Sequence, residues 1–193
     1  MKILSILLPI VISLRTCSVL AQTNSSLTSQ YEAEIYRDTK WGGITNGIQF
    51  GIRICAIGPS AKDNFKVFSA LFNTNSSNIF GLWRLPTGYR FDEISLTSRD
   101  GKVIHRTATG NRLCKPPPSN LSNGRVVVLD PRSPFNFDEL FDVRDCFEIK
   151  EAGTYTLTVK ARLYSIEKFH VFKKLDLPEA RVDFEIKEPN LTR

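Results

Sequence analysis

Strict alternation of apolar and polar residues limits this chain more than any other feature. In "YTLTVKARL", Tyr155, Leu157, Val159, Ala161 and Leu163 share one side, and Thr156, Thr158, Lys160 and Arg162 the other. "ARVDFEIK" sets Ala180, Val182, Phe184 and Ile186 against Arg181, Asp183, Glu185 and Lys187, and "GIQFGIRICA" aligns Ile48, Phe50, Ile52, Ile54 and Ala56. A helix would scatter these residues around its circumference, whereas a half-buried strand gathers them on one face.

Shorter runs fill the intervals. "FKVFSALF" and "NIFGLWRL" are separated by the polar turn "NTNSSN", and "GRVVVLD" is a strand ended by Pro131. "FDEISLTS" and "KVIHRT" flank Asp100-Gly101, a two-residue hairpin signal because both central positions can take positive φ. The pattern predicts an all-β fold, an immunoglobulin-like antiparallel β-sandwich of about eight to ten strands. One short helix is expected within "PFNFDELFDVRD" (134–145), where Phe137, Leu140 and Phe141 fall at i, i+3 and i+4. The acids Asp138 and Glu139 then suit that helix's N-terminus. Residues 108–123 read as a long loop stiffened by Pro116, Pro117 and Pro118, since the residue before each proline is driven toward extended geometry. In "CFEIKEAGTYTLTV", Gly153 permits a tight turn, and Tyr155 stands where sandwich folds return a tyrosine hydroxyl to the backbone at a strand-connecting corner. There is no Cys–Trp–Cys arrangement of the antibody type.

"WGGITNGIQFGIRI", "FKVFSALFNTNSSNIF", "GYRFDEISLTSRDGKVI" and "FEIKEAGTYTLTV", taken in order, resemble a diffuse group of secreted bacterial β-sandwich proteins, some similar to the BsuPI-type proteinase-inhibitor domain. The resemblance covers roughly residues 41–165 and rests on hydrophobic alternation, an Asn ending a strand and a Gly turn. It implies the sandwich fold and carries no site residue.

The first 21 residues read as a secretory signal. Lys2 precedes the apolar stretch "ILSILLPIVISL", and Val19-x-Ala21 is a small-residue cleavage pattern. The apolar stretch falls short of the roughly 20 residues a membrane span needs. Residues 22–29 are expected to be a flexible N-terminal segment and 30–193 a single β-sandwich domain. No membrane span is expected after signal cleavage, and the localisation is secreted or periplasmic. Loss of Lys2 and Arg15 lowers the formal charge from +6 to +4. Loss of Cys17 leaves Cys55, Cys114 and Cys146. An oxidising compartment then allows one intramolecular bridge, expected between Cys114 and Cys146, with Cys55 a buried small hydrophobe.

Little in the chain argues for catalysis. Its only histidines are His105 and His170, and it has no G-x-S-x-G elbow, no H-E-x-x-H, no phosphate-binding Gly loop and no C-x-x-C pair. The expectation is no enzyme and no cofactor. Asp138, Glu139, Asp142, Asp145 and Glu148 cluster in sequence, but their spacing matches no calcium loop. Trp83, Arg84 and Tyr89 stand near a turn and form a possible ligand-binding group, while Trp41 reads as a packing residue. Lys115, Pro116 and Pro117 form a second possible binding group on the rigid loop at 112–120. Lys160, Arg162, Lys168, Lys173 and Lys174 interleave with Tyr164, Phe169 and Phe172, a pattern that reads as a solvated strand and loop. Nucleic acid is not an expected partner for an exported chain. Sequons at Asn24, Asn75, Asn120 and Asn190 mark glycosylation sites if the source is eukaryotic. The function expected first is a non-catalytic module that binds an extracellular or envelope protein or glycan. A proteinase-inhibitor-like domain acting through the 112–120 loop stands second, and an enzyme third.

Overall fold

Alternation dominates the three-dimensional architecture as it does the sequence. The computed structural model describes residues 37–57, 64–85, 90–117, 124–166 and 172–187. Twelve strands follow in chain order: β1 (Lys40–Thr45), β2 (Ile48–Ile57), β3 (Asn64–Asn73), β4 (Ile79–Arg84), β5 (Phe91–Ser98), β6 (Val103–Ile104), β7 (Arg125–Leu129), β8 (Pro134–Asp142), β9 (Gly153–Ala161), β10 (Leu163–Ile166), β11 (Phe172–Leu175) and β12 (Ala180–Ile186). Two short helices, α1 (Ala108–Leu113) and α2 (Val143–Cys146), lie between strands. The strands form three antiparallel four-stranded sheets, ordered β1-β2-β3-β8, β12-β9-β5-β6 and β11-β10-β4-β7. The chain is an all-β sandwich.

β9 shows how the pattern becomes packing. Tyr155, Leu157, Val159 and Ala161 are buried, and the threonines and lysine between them are not. Complete burial of Leu157 and Val159 contributes about 1.5–3 kcal/mol each. Their partners are Val182 and Ala180 on β12, and Leu96 and Ile94 on β5. Ile48, Phe50, Ile52, Val67 and Leu71 from β2 and β3 join the same core. Aromatic contacts tie the first two sheets together: Phe91 of β5 meets Phe141 of β8 edge-on at 5.8 Å, and Phe65 of β3 lies 5.5 Å from Phe184 of β12.

The expected strand "YTLTVKARL" is two strands. The pleat breaks at Arg162, where β9 leaves its sheet and β10 begins the third. This division, together with β1, β8 and β11, raises the number of strands above the eight to ten that the sequence predicts. Among the described residues the helices between strands number two against the one expected, and neither occupies residues 134–142. That stretch is β8, an edge strand beginning at Pro134, where a missing N–H costs no ladder bond. Its helix-like spacing arises from bulges against β3. Phe141 faces Val67 and Glu139 faces Phe68, so Leu140 is an extra residue, and both Leu140 and Phe141 turn inward. Asp138 and Glu139 therefore lie in a strand and not at a helix start. Asp142 is the N-cap of α2, its Oδ1 accepting from Arg144 N at 2.9 Å. The first part of the expected 108–123 loop is α1, capped by Thr107, whose Oγ1 accepts from Gly110 N at 3.2 Å.

Two turns refine the hairpin reading. At Asp100-Gly101 only Gly101 takes positive φ, 83°. Gly101 N donates to Ser98 O and Ser98 N to Lys102 O, both at 2.9 Å, giving a tight turn closed by a left-handed glycine. Positive φ at two successive residues occurs instead at Asn46 and Gly47, 51° and 75°, between β1 and β2. The corner predicted at Tyr155 is formed: its hydroxyl donates to Glu151 O at 2.7 Å.

Candidate functional site

The outer face of the β11-β10-β4-β7 sheet carries two of the four exposed large hydrophobics among the described residues, Val126 and Val128, beside three half-buried aromatic rings. Backbone register assigns its side chains. Leu82 of β4 opposes Ser165 of β10 and the buried Val127 of β7, so the next residue, Trp83, opposes Tyr164 on one side and Val126 on the other. Tyr164 in turn opposes Lys174 of β11, and Ile166 opposes Phe172. Leu82, Val127, Leu129, Leu163 and Leu175 fill the inner face and are buried. Trp83, Tyr164, Ile166 and Phe172 on the outer face are half-buried, and Val126 and Val128 are 57% and 41% exposed. The Trp83 and Phe172 rings lie 5.2 Å apart at a 50° tilt. The row Val126–Trp83–Tyr164–Lys174 thus crosses all four strands, with Phe172 two residues along β11 and its ring against Trp83, so each ring is mounted on a strand and not on a loop.

Charge borders this row at one end. Lys174 Nζ lies 2.7 Å from Asp92 Oδ2, and Arg162 Nε donates to Asp92 Oδ1 at 2.8 Å. Arg162 Nη1 donates to Lys115 O at 2.7 Å. The Arg162 and Asp92 side chains are only 8% and 15% exposed, so the pair sits within the fold. Lys160 pairs with Asp176 at 3.0 Å on the surface, and the Asp176 carboxyl is held below the usual range by that hydrogen bond and by the lysine charge.

The residues singled out in the sequence separate in space. Trp83 belongs to the outer-face row. The backbone of Arg84 continues β4 opposite Arg125, while its side chain and Tyr89 lie outside the described residues. Lys115 and Pro116 are exposed and Pro117 half-buried, just past α1. Since α1 takes up Arg112 and buries Leu113, the 112–120 segment is shorter as a loop than its sequence suggests, and residues 118–120 lie outside the described part. Trp41 is within β1, its ring 5.7 Å from Phe72. Asn75 is exposed in the β3–β4 turn, and Asn24, Asn120 and Asn190 lie outside the described residues.

The expected Cys114–Cys146 bridge is not formed: both residues are thiols. Cys146 closes α2 with no solvent exposure, and Cys114 is the half-buried C-cap of α1. Burial first, then the Asp145 and Asp142 carboxylates and Cys114, push the Cys146 thiol up to about 12. Thiolate is the species that exchanges disulfides, so this environment keeps the sulfur unreactive. Cys55 is half-buried on β2.

His105 is exposed in an open groove with Lys102, Glu148, Glu151 and Tyr155. His170 lies outside the described residues. Among the described residues no three of His, Cys, Asp and Glu converge as metal ligands. No helix among them is long and apolar enough to cross a membrane.

Tyr164, Phe172, Val126 and Val128 are site residues that reasoning from sequence does not find. Tyr164 and Phe172 read there as the apolar part of a solvated basic stretch. The uniform "VVV" of β7 gives no alternation from which to tell an exposed face. Only the register, joining residues 83, 126 and 164, brings them together. No family model matches the chain, and no curated protein is similar to it at a significant level.

Proposed function

We propose that this protein is an exported, non-catalytic binding module that holds a glycan on the outer face of its β11-β10-β4-β7 sheet. The observation that carries this reading is the cluster of Trp83, Tyr164 and Phe172 on β4, β10 and β11, with the Trp83 and Phe172 rings 5.2 Å apart across β10. Aromatic rings give large, rigid contact area at low cost in conformational entropy, and Tyr and Trp add a polar edge that suits a ligand with both apolar and hydroxylated faces. A sugar ring is such a ligand: its C–H face covers an aromatic ring while its hydroxyls stay solvated. Mounting the rings on strands fixes their spacing before the ligand arrives, which limits the ordering cost of binding. The secretory signal read from residues 1–21 supports an extracellular or envelope polymer as the ligand, and the formal charge of +6, or +4 after cleavage, favours one with acidic groups.

The test is affinity electrophoresis through gels containing acidic or neutral polysaccharides. The exported chain is expected to be retarded by an acidic polysaccharide, with Trp83→Ala weakening retention at least about tenfold, the loss of roughly 1.4 kcal/mol of stacking. Unretarded migration of the wild-type chain in every gel, or equal retention of Trp83→Ala, would overturn the reading.

A further inference from the structure

Among the described residues, the register puts a single charged side chain on the outer face of the β11-β10-β4-β7 sheet, and it stands beside the rings. Lys174 of β11 lies directly opposite Tyr164 of β10, which in turn lies opposite Trp83 of β4. Facing positions of an antiparallel pair carry their Cβ atoms about 5 Å apart, so the lysine and the tyrosine are direct neighbours. The adjacent cations alternate to the other side of the sheet: Lys173 opposes Ser165, and Arg125 precedes the outer-face Val126.

The Lys174 ammonium is held in place yet keeps its charge. Its Nζ lies 2.7 Å from Asp92 Oδ2, while Arg162 Nε donates to the other oxygen of the same carboxylate at 2.8 Å. Two cations share one anion, so the group retains one positive charge. The Asp92 and Arg162 side chains are 15% and 8% exposed, whereas that of Lys174 is 49% exposed, and the charge therefore meets solvent at the lysine. A lysine ammonium has three N–H donors and no acceptor. One turned toward Asp92 leaves two for an incoming anion. The carboxylate also fixes the ammonium before a ligand arrives, which limits the ordering cost of the contact.

We infer that Lys174 reads the acid group of the ligand: the sugar ring that covers Tyr164 carries its own carboxylate or sulfate, and that group accepts a hydrogen bond from Lys174 Nζ. This inference rests on the glycan reading and narrows it. Net charge attracts any polyanion from a distance. The Tyr164–Lys174 pair instead selects a polymer in which acid group and apolar face belong to one ring, as in a uronic acid or a sulfated hexose.

Affinity electrophoresis through polygalacturonate, dextran sulfate and neutral dextran gels is the test. Lys174→Gln should weaken retention about fivefold in an acidic gel and leave migration in neutral dextran unchanged, and the gel that shows the loss identifies carboxylate or sulfate. Lys174→Arg, which keeps the charge, should retain most of the binding. Lys102→Gln removes the same charge from the exposed turn at the far end of β5 and should change nothing. Arg162 still pairs with Asp92 in these variants, and a urea midpoint checks that they fold. Equal losses for Lys174→Gln and Lys102→Gln would mean that net charge alone attracts the polymer, and a loss in neutral dextran as well would mean that the lysine only supports the sheet. Either outcome overturns the inference, as does unaltered retention of Lys174→Gln. Trp83→Ala keeps the two readings apart. If it loses retention while Lys174→Gln loses none, the glycan site stands and this assignment falls, whereas equal retention of Trp83→Ala removes the site itself.

Discussion

Asn73 and Tyr155 mark the two ends of what single residues disclose. The Tyr155 hydroxyl reaches a carbonyl four positions away, and a local sequence pattern is enough to anticipate that bond. Asn73, fully buried at the end of β3, donates to Ser77 O at 2.7 Å and to Leu129 O at 3.0 Å, while its Oδ1 accepts from Asn75 N. Leu129 is 56 residues distant, so the sequence shows an asparagine ending a strand but not the strand it secures. Cys146 carries the prediction at this scale. The folded chain keeps the thiol proton up to about pH 12, whereas the unfolded chain releases it from the ordinary value of 9.0. The unfolded state therefore binds fewer protons in that interval, and stability falls as pH rises from about 9 toward 12. The loss attributable to this group is on the order of 4 kcal/mol by the upper limit. Urea denaturation across that range should show the decline, and Cys146→Ala, compared with its own stability at pH 8, should decline less. Equal slopes would mean that other groups, Tyr155 among them, account for all of it.

Elements were legible wherever one period ran unbroken. β9 follows its alternation residue for residue and β12 nearly so, but β8 does not, because bulges against β3 mimic the spacing of a helix. The helix that does form at 108–113 lies in a stretch with a Gly inside it, and its stability comes from α2 beneath it. Thr107 N donates to Cys146 O at 3.0 Å, and Thr107 Oγ1 reaches Asp145 O. Gly110 sits in that contact: a Cβ there would stand 2.3 Å from the Cys146 carbonyl oxygen, which is backbone and cannot turn away. Helix propensity alone says that Gly110→Ala stabilises by up to about 1 kcal/mol. The contact reverses that sign. Gly110→Ala should destabilise by about 1–3 kcal/mol, the usual cost of overpacking, read as a lower urea midpoint at unchanged slope. A raised midpoint would show that α1 does not rest on α2 in this way.

At the scale of the whole molecule, the sequence yields an all-β sandwich but not a third sheet joined to the other two, because that joint is a single charged residue in an otherwise regular strand. Arg162 occupies a position that alternation assigns to solvent, yet it is buried where β9 passes into β10. From there its backbone N–H donates to Arg90 O at 2.6 Å, and its guanidinium binds Asp92 of β5 and the carbonyl of Lys115. Lys174 of β11 completes the group through the other oxygen of Asp92. Three segments distant in sequence are thus fixed to one carboxylate: the start of β5, the β9–β10 joint and the sheet bearing the aromatic row. Removing the carboxylate leaves a guanidinium buried without its counter-charge, which costs about 3–5 kcal/mol where burial is complete and somewhat less at this partly open site. Asp92→Ala should therefore lower the urea midpoint by about 2–4 kcal/mol of stability. Replacing the arginine as well, in Asp92→Ala/Arg162→Met, should recover more than half of that loss, because the uncompensated charge goes with it. If the double variant is as unstable as the sum of the two single ones, the pair does not act as a unit, and the joint between the sheets is held by the apolar contacts of Leu163 and Leu175 instead.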